Sequence, residues 1–352
     1  MKTTLLILGL ITFAACNNES AIENKKVQSI ELQNERALNE TIQTKKIVQD
    51  LDNTSQLFNI PSNKVSIVKG KNGTILYIDP SDLILENGNE INESLTVELK
   101  ELTNTTDLLK ANSQTVSNGQ LLESGGAYFI NIKSGNNNVI LKKGENLKAE
   151  FPKLKSEKMD IFYGQKDSLG NVNWIRSEQT LKKKQAKAVE SKKDELKSDK
   201  YDDINDILNY VDGEDKPKLS QETKKQLLIE EKVYEAINLT NLGWINVDRF
   251  LKIENKTNLK FEFNPKDSIA GAIIYLIFSD INSLITFNYN KNNQSNAVEN
   301  LPLGSEIEIV AVAVRNGKIY THNSSEIIKE NQSLKLNMSE SKLEDFKKMI
   351  EK

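Results

Sequence analysis

The chain has almost none of the residues on which common catalytic centres depend. It contains one cysteine, Cys16, and one histidine, His322, among 352 residues. Zinc sites of His and Cys, HExxH metalloproteases and Cys/His proteases all need more of these residues. A Ser-His-Asp triad would depend on His322, which follows the alternating Lys318-Ile319-Tyr320 of a predicted strand, and there is no Gly-x-Ser-x-Gly elbow. We therefore predict no catalytic residue, no metal site and no cofactor.

Charge of one sign is not in excess either. Lys and Arg number 47 against 50 Asp and Glu, which gives a formal net charge of −3. A chain this close to neutrality has no overall field that would attract a polyanion, so we predict no nucleic-acid partner.

The first fifteen residues have the pattern of a secretory signal peptide. Lys2 provides a positive start, residues 5–11 are apolar, and the small residues Ala14 and Ala15 follow. The apolar part is well short of the roughly 20 residues that span a bilayer, so a retained transmembrane helix is the weaker interpretation. We predict that residues 1–15 are removed.

The position of the single cysteine makes this prediction more specific. Phe13-Ala14-Ala15 stands directly before Cys16, and the polar residues 17–20 follow it. This arrangement resembles the lipobox of bacterial lipoproteins, although Phe13 stands where that pattern prefers Leu. The resemblance implies that Cys16 becomes the first residue of the mature chain and carries acyl chains such as palmitate, which anchor it to a membrane. The alternative is an ordinary signal peptide with an incidental cysteine.

Residues 16–56 are predicted to be a polar, partly helical tether that holds the rest of the chain off the membrane. Apolar residues occur there only in patches with helical spacing: Val27 and Ile30, Leu38 and Ile42, Val48 and Leu51. A short coiled-coil contact is the alternative, but no heptad is sustained over three or four repeats.

The remaining length predicts two domains and a linker. Residues 57–176 contain short β-type runs separated by Gly, Asn, Asp and Pro, and Leu95, Val97 and Leu99 alternate with polar residues. Short strands at such regular spacing predict a β-sandwich-like domain. The predicted fold is thus mainly β, with two β-sandwich-like domains joined by a charged, partly helical linker.

Three segments of the chain resemble a recurrent sequence of uncharacterised cell-envelope lipoproteins of the Bacteroidetes type. They are residues 119–126, residues 162–174 and residues 243–250. Residues 73–99 are also weakly similar to ZU5-like β-sandwich modules. The resemblance implies a cell-envelope location and carries no activity with it.

The predicted linker covers residues 177–242. Residues 182–200 are mainly basic and residues 201–215 are acidic, so the charges of the two parts of the linker nearly cancel. We predict a solvated helical linker; the alternative is a basic arm that touches anionic lipid headgroups. Residues 212–215 lack the spaced ligands of an EF-hand and give only a weak calcium signal.

Residues 243–338 are predicted to form the second β-sandwich-like domain, and residues 339–352 a short helix with Ser339 as its N-cap. Residues 273–278 are apolar at every position, which predicts a central strand. Trp244, Asp248 and Arg249 are the candidate interaction residues. The tryptophan suits a core anchor, and the Asp248-Arg249 pair suits either the stitching of the domain edge, which we favour, or contact with a ligand.

Taken together, these features predict a non-enzymatic binding or scaffold protein of the cell envelope. We expect it to be anchored to the outer membrane through Cys16 and to contact an envelope protein. The alternative is a hydrolase that uses paired carboxylates, as glycosidases do. Only two Trp and 6% aromatic residues argue against it, because sugar sites usually need aromatic platforms.

Overall fold

The computed structural model describes residues 14–183 and 233–351, apart from Asn53, Ser168, Leu169 and Gln294. Side chains are described from residue 27 onward, except at 182–183 and 233–238. The described chain is mainly β, with several sheets stacked in sandwich-like fashion, and this confirms the predicted fold class. Residues 1–13 of the predicted signal peptide and residues 184–232 of the predicted linker lie outside the described residues.

The first part of the chain contains a long helix, a short helix and fourteen strands within the described residues. The helices are α1 (Ala14–Gln49) and α2 (Thr105–Lys110), and a 3-10 turn covers Pro80–Asp82. The strands are β1 (Gln56–Ile60), β2 (Ser66–Lys69), β3 (Ile75–Ile78), β4 (Leu83–Leu85), β5 (Leu95–Leu102), β6 (Val116–Ser117), β7 (Gln120–Ser134), β8 (Asn137–Leu141), β9 (Leu147–Pro152), β10 (Asp160–Lys166), β11 (Val172–Thr180), β12 (Lys182–Lys183), β13 (Val233–Leu239) and β14 (Gly243–Phe250).

The second part contains eight strands and a C-terminal helix. The strands are β15 (Lys256–Phe263), β16 (Gly271–Phe278), β17 (Ser283–Asn290), β18 (Ala297–Pro302), β19 (Glu306–Arg315), β20 (Lys318–Ile327), β21 (Gln332–Leu336) and β22 (Ser339–Ser341). The helix is α3 (Leu343–Ile350), and 3-10 turns cover Pro265–Asp267 and Ser279–Ile281. Ser339, the predicted N-cap, instead begins β22, and the residue that precedes α3 is Lys342.

Two pairs of sheets form two sandwiches. In the first sandwich, sheet 1 has the order β1-β5-β7-β14-β10-β11, with β4, β6 and β8 beside it, and sheet 2 has the order β12-β13-β9-β3-β2. In the second sandwich, sheet 3 has the order β18-β15-β21 and sheet 4 has the order β17-β16-β19-β20-β22. Each sandwich encloses its own apolar core.

Alternation along β5 explains how sheet 1 separates its two faces. Leu95, Val97 and Leu99 are fully buried in the core of the first sandwich. Thr96 and Lys100 point to the opposite face and are half-buried. This period of two is what a strand buried on one side requires.

Strand β16 shows the other pattern, because it is buried on both faces. Ile274 and Leu276 belong to the core of the second sandwich. Ile273 and Tyr275 belong to a third apolar cluster, in which sheet 4 packs against Phe162 and other residues of sheet 1. The strand lies between β17 and β19, so the prediction of a central strand is confirmed. The two sandwiches therefore share a buried layer.

Strand β14 corrects the predicted start of the second domain at residue 243. It lies between β7 and β10 in sheet 1, in antiparallel register with both. The predicted linker boundaries change as well, because residues 177–180 continue β11, and β12 and β13 are adjacent strands of sheet 2. Alternation specifies the faces of a strand but not its neighbours. The described ends of the linker are therefore β strands.

The predicted tether is also corrected, since α1 is continuous and its second half packs on sheet 4. Its buried side chains are mostly small or polar: Ala37, Glu40, Thr41, Thr44, Lys45 and Val48. The apolar Leu38 and Ile42, which suggested the helical face, are instead about half exposed, at 48% and 50%. Polar residues therefore dock this helix.

Glu40 and Thr44 explain how a polar helix face is buried without loss of hydrogen bonds. The backbone N–H groups of Ala270 and Gly271 donate to Glu40 Oε2 at 2.9 and 3.0 Å. The N–H of Val314 donates to Thr44 Oγ1 at 2.9 Å. The helix thus satisfies backbone donors at the ends of β16 and β19 that would otherwise be buried and unpaired.

Gly271 allows helix α1 to pack closely against strand β16. A Cβ atom at this position would overlap the backbone carbonyl oxygen of Ala37. Further along the helix, Lys45 Nζ donates to Asn171 Oδ1 at 2.9 Å in the turn between β10 and β11. Helix α1 is thereby attached to both sandwiches.

Candidate functional site

The three candidate interaction residues on β14 lie in three different environments. Trp244 is half-buried on the face of sheet 1 that points away from its core. Asp248 is fully buried, and Arg249 forms an ion pair with Glu123 of β7. Trp244 lies four residues from Asp248 and five from Arg249 on one extended strand, and the structure does not bring the three together in a single site.

Trp244 belongs to a row of side chains that crosses five strands of sheet 1. Its cross-strand neighbour on β7 is Phe129, whose own neighbour on β5 is Lys100. On the other side, Gly164 of β10 pairs with Trp174 of β11. At about 4.8 Å between strands, the row from β5 to β11 is about 19 Å long.

The aromatic rings in this row contact one another directly. The ring centroids of Trp244 and Phe129 are 5.0 Å apart, and those of Trp244 and Trp174 are 6.4 Å apart with the rings edge to face. These separations are within the range that aromatic pairs prefer. Trp174 is fully buried and donates its indole N–H to the carbonyl oxygen of Gln114, so it holds the row in place from below.

Gly164 makes this arrangement possible. A Cβ atom there would lie 2.6 Å from Cβ of Trp244 and 2.9 Å from the Trp174 ring. No other residue type leaves room for both indoles at this point of the strand. The glycine therefore specifies how closely the two tryptophans pack.

Two lysines adjoin the aromatic row. Lys166 is exposed, and its Nζ lies 4.6 Å from the centroid of the Trp244 ring in a cation-π contact. Partial desolvation of its ammonium group beside the indole and the nearby charge of Lys100 lower the pKa of Lys166, and Asp52 opposes that shift. Lys100 itself is paired with Asp52 at 2.5 Å.

The next row of the same face is polar. Glu98 and Asn131 are cross-strand neighbours on β5 and β7, and both are half-buried. Glu98 accepts a hydrogen bond from Ser55 at 2.7 Å. We call the surface formed by Phe129, Trp244, Lys166, Lys100, Glu98 and Asn131 the aromatic face.

Asp248 lies on the same side of β14 as Trp244 but under the second sandwich. The N–H of Gly125 donates to its carboxyl group at 3.2 Å, and the side chain of Asn246 contacts it at 2.5 Å. Burial raises the pKa of Asp248 to about 8, although hydrogen bonds from Ser124, Asn246 and Gly125 oppose this shift. The side chain has no exposed surface, so a substrate cannot contact it in this conformation.

Arg249 joins neighbouring strands. Its guanidinium Nε donates to Glu123 Oε2 at 2.7 Å, and Lys155 Nζ lies 3.2 Å from Glu123 Oε1. Asp248 and Arg249 each have other partners, and the pair suggested by the sequence is replaced by the Arg249–Glu123 ion pair.

The remaining candidates have no catalytic geometry. The ring nitrogens of His322 lie 3.1 Å from the carbonyl oxygen of Asn337 and 3.1 Å from Ser324 Oγ. Within the described residues, no group of three or more His, Cys, Asp or Glu side chains is placed to hold a metal ion. The backbone of Cys16 lies in α1, and no helix in the described part of the chain is long and apolar enough to cross a membrane.

One cleft opens between the edge strands β17 and β18 of the second sandwich. It has a volume of about 280 Å³, and its apolar walls include Val116, Ile285, Phe287 and Leu301. A second, polar cleft of about 400 Å³ lies between α1 and the turn that joins β19 to β20. Neither cleft contains any of the candidate interaction residues.

No family model matches the chain, and no curated protein matches it. The fold and the surfaces described above are therefore the basis for assigning a function.

Proposed function

We propose that this chain is a lipid-anchored binding protein of the cell envelope, held at the outer membrane through acylated Cys16. In this proposal α1 is a rigid spacer, and the two sandwiches are the binding body. The observation that carries the proposal is the continuity of α1 from the cysteine to the body.

The length of the free part of α1 supports a spacer. Among the α1 side chains that the structure describes, from residue 27 onward, the first buried one is Ala37. The 21 residues from Cys16 to Ala37 would rise about 30 Å at the pitch of an α-helix. Side chains 27–36 are all exposed, as expected for a helix that projects beyond the body.

The attachment of the helix also supports this role. A spacer transmits a fixed distance only if its far end is held firmly, and Glu40, Thr44 and Lys45 hold α1 to both sandwiches. Polar contacts with defined geometry fix the rotation of a helix as well as its position.

The anchor is tested by acylation and fractionation. Cys16→Ala should abolish incorporation of radiolabelled palmitate and move the protein from the membrane fraction to the soluble fraction. Phe13→Leu, which restores the preferred lipobox residue, is the matched control and should keep both properties. Undiminished labelling of Cys16→Ala would refute the proposed anchor.

A carboxylate-dependent hydrolase is the alternative function. Asp248 has the raised pKa that a general acid needs, but its burial keeps it from any substrate in this conformation. We therefore rank a binding protein first. Release of reducing ends from envelope glycans by the purified protein, and loss of that release in Asp248→Asn, would reverse this order.

A further inference from the structure

We propose that the aromatic face of sheet 1 binds an acidic oligosaccharide, with Trp244 as the stacking platform and Lys166 as the partner of the ligand's carboxylate or sulfate groups. This inference rests on the proposed binding function and names its ligand. It does not depend on the anchor, because the aromatic face lies on the body.

The half-buried aromatic rings of this face are suited to the apolar face of a sugar. The C–H bonds on one face of a pyranose carry partial positive charge and pack against the electron-rich face of an indole or phenyl ring. Trp244 and Phe129 are half-buried neighbours whose centroids are 5.0 Å apart, so they form one surface. Packing against Trp174 and Gly164 holds that surface rigid before any ligand arrives.

The charges of the face favour an acidic ligand. Lys166 is exposed, and so is Lys133, which lies two residues beyond Asn131 on the same side of β7. Neither lysine has an ion-pair partner in the described part of the chain. Lys166 Nζ lies over the Trp244 ring, 4.6 Å from its centroid, so a sugar that stacks on this face of the ring must move the ammonium group to the ring edge, where it can pair with an acidic substituent. A carboxylate or sulfate there would accept a charge-assisted hydrogen bond and offset the repulsion between Lys166 and Lys100.

The polar row supplies partners for hydroxyl groups. Asn131 offers an amide donor and acceptor, and Glu98 offers a carboxylate, directly beside the aromatic row. The aromatic face spans four strands, from β5 to β10, or about 14 Å, which suits more than one sugar unit better than one small molecule. A protein partner fits less well, because lysine is depleted at the centres of protein interfaces.

The test uses the full chain with Cys16→Ser, to keep it soluble, and three acidic hexasaccharides: oligogalacturonate, hyaluronan and heparin fragments. Binding is followed by tryptophan fluorescence and calorimetry. At least one of the three should bind, more weakly at high salt. A reduced form of whichever hexasaccharide binds, with its carboxylates converted to alcohols or its sulfates removed, should bind at least about tenfold more weakly than the acidic form, since charge-assisted hydrogen bonds are lost.

Substitutions locate the site. Lys166→Ala should weaken binding about tenfold, whereas Lys335→Ala, an exposed lysine on β21 of the second sandwich, should leave binding unchanged. Trp244→Ala should abolish binding; if its circular dichroism shows unfolding, Trp244→Phe replaces it and should bind more weakly than the parent. The proposal is overturned if none of the acidic hexasaccharides binds, if the reduced form binds equally well, or if Lys166→Ala has no effect.

The outcome is distinguishable from failure of the proposed function. If no acidic hexasaccharide binds but Cys16 is acylated, only the proposed ligand is refuted. If an acidic hexasaccharide binds but Cys16 is not acylated, only the proposed anchor is refuted.

Discussion

The buried carboxyl group of Asp248 should make the stability of the protein depend on pH in a specific direction. Its pKa is raised from 3.8 to about 8 in the folded state. Between these values the folded protein holds one more proton than the unfolded chain, so the free energy of unfolding falls as the pH rises. The slope is at most about 1.4 kcal/mol per pH unit for one proton, or about 3 kcal/mol between pH 5 and pH 7.

Asp248→Asn is the perturbation that isolates this effect. Asn246 Nδ2 donates to Asp248 Oδ2 at 2.5 Å, and Asn246 Oδ1 has no hydrogen-bond partner among the described residues. If the Asn246 amide rotates by 180°, its oxygen can accept a hydrogen bond from the amide of an asparagine at position 248. The substituted side chain is therefore paired and carries no ionisable proton.

Urea unfolding at several pH values between 5 and 8 measures the effect. The stability of Asp248→Asn relative to the parent should increase by about 3 kcal/mol between pH 5 and pH 7, because only the parent must stay protonated or bury a charge. Asp280→Asn, at an exposed position, is the control and should not alter the slope. A variant that is less stable than the parent at pH 7 would refute the reasoning, because it would show that Asp248 is ionised and well paired.

Three other predictions concern α1. Gly271→Ala should undock the helix, because the added methyl overlaps Ala37, and limited proteolysis should then cut within residues 37–49; resistance equal to the parent would contradict this contact. Glu40→Ala should lower the free energy of unfolding in urea by about 2 to 3 kcal/mol, because it leaves two buried N–H groups unpaired. Arg36→Ala, at a side chain 51% exposed, is the control and should lower it by less than about 1 kcal/mol. Equal losses would show that the two N–H groups are solvated. Burial lowers the pKa of Lys45 from 10.5 to about 8, so the parent should gain stability as the pH rises from about 8 to 10.5, and Lys45→Met should lose that gain; an unchanged pH profile would contradict the shift.

The faces of individual strands could be predicted from the sequence, but their neighbours could not. Alternation in β5 and continuous apolarity in β16 reflect burial on one face and on two, and local sequence records both. The position of β14 between β7 and β10 depends on pairing with residues more than 70 positions away. Alternation carries no information about such long-range partners, so residues 243–250 were wrongly assigned to the second domain.

Helix α1 shows a different limit. Apolar periodicity pointed to Leu38 and Ile42, which are exposed, because the buried face uses Glu40, Thr41 and Thr44 to satisfy backbone donors of sheet 4. A docking surface made of hydrogen bonds leaves no hydrophobic pattern. The sequence predicts the helix, but it does not predict that the helix packs on sheet 4.

The aromatic face was missed for a related reason. A count of two tryptophans argued against a sugar site, yet Trp174 and Trp244 lie 6.4 Å apart although 70 positions separate them in the chain. Trp244 was recognised as an anchor, whereas Phe129 and Lys166 became relevant only through the order of the strands. Amino-acid composition therefore does not predict an aromatic surface whose residues come from distant segments of the chain and meet only in the folded sheet.

Mass spectrometry of the mature protein, extracted from native membranes, tests the central claim most directly. We predict that the N-terminal peptide begins at Cys16 and carries the added mass of a diacylglyceryl group and an N-linked acyl chain. A mature chain that begins at any other residue, or an unmodified Cys16, would contradict the account of a lipid-anchored protein.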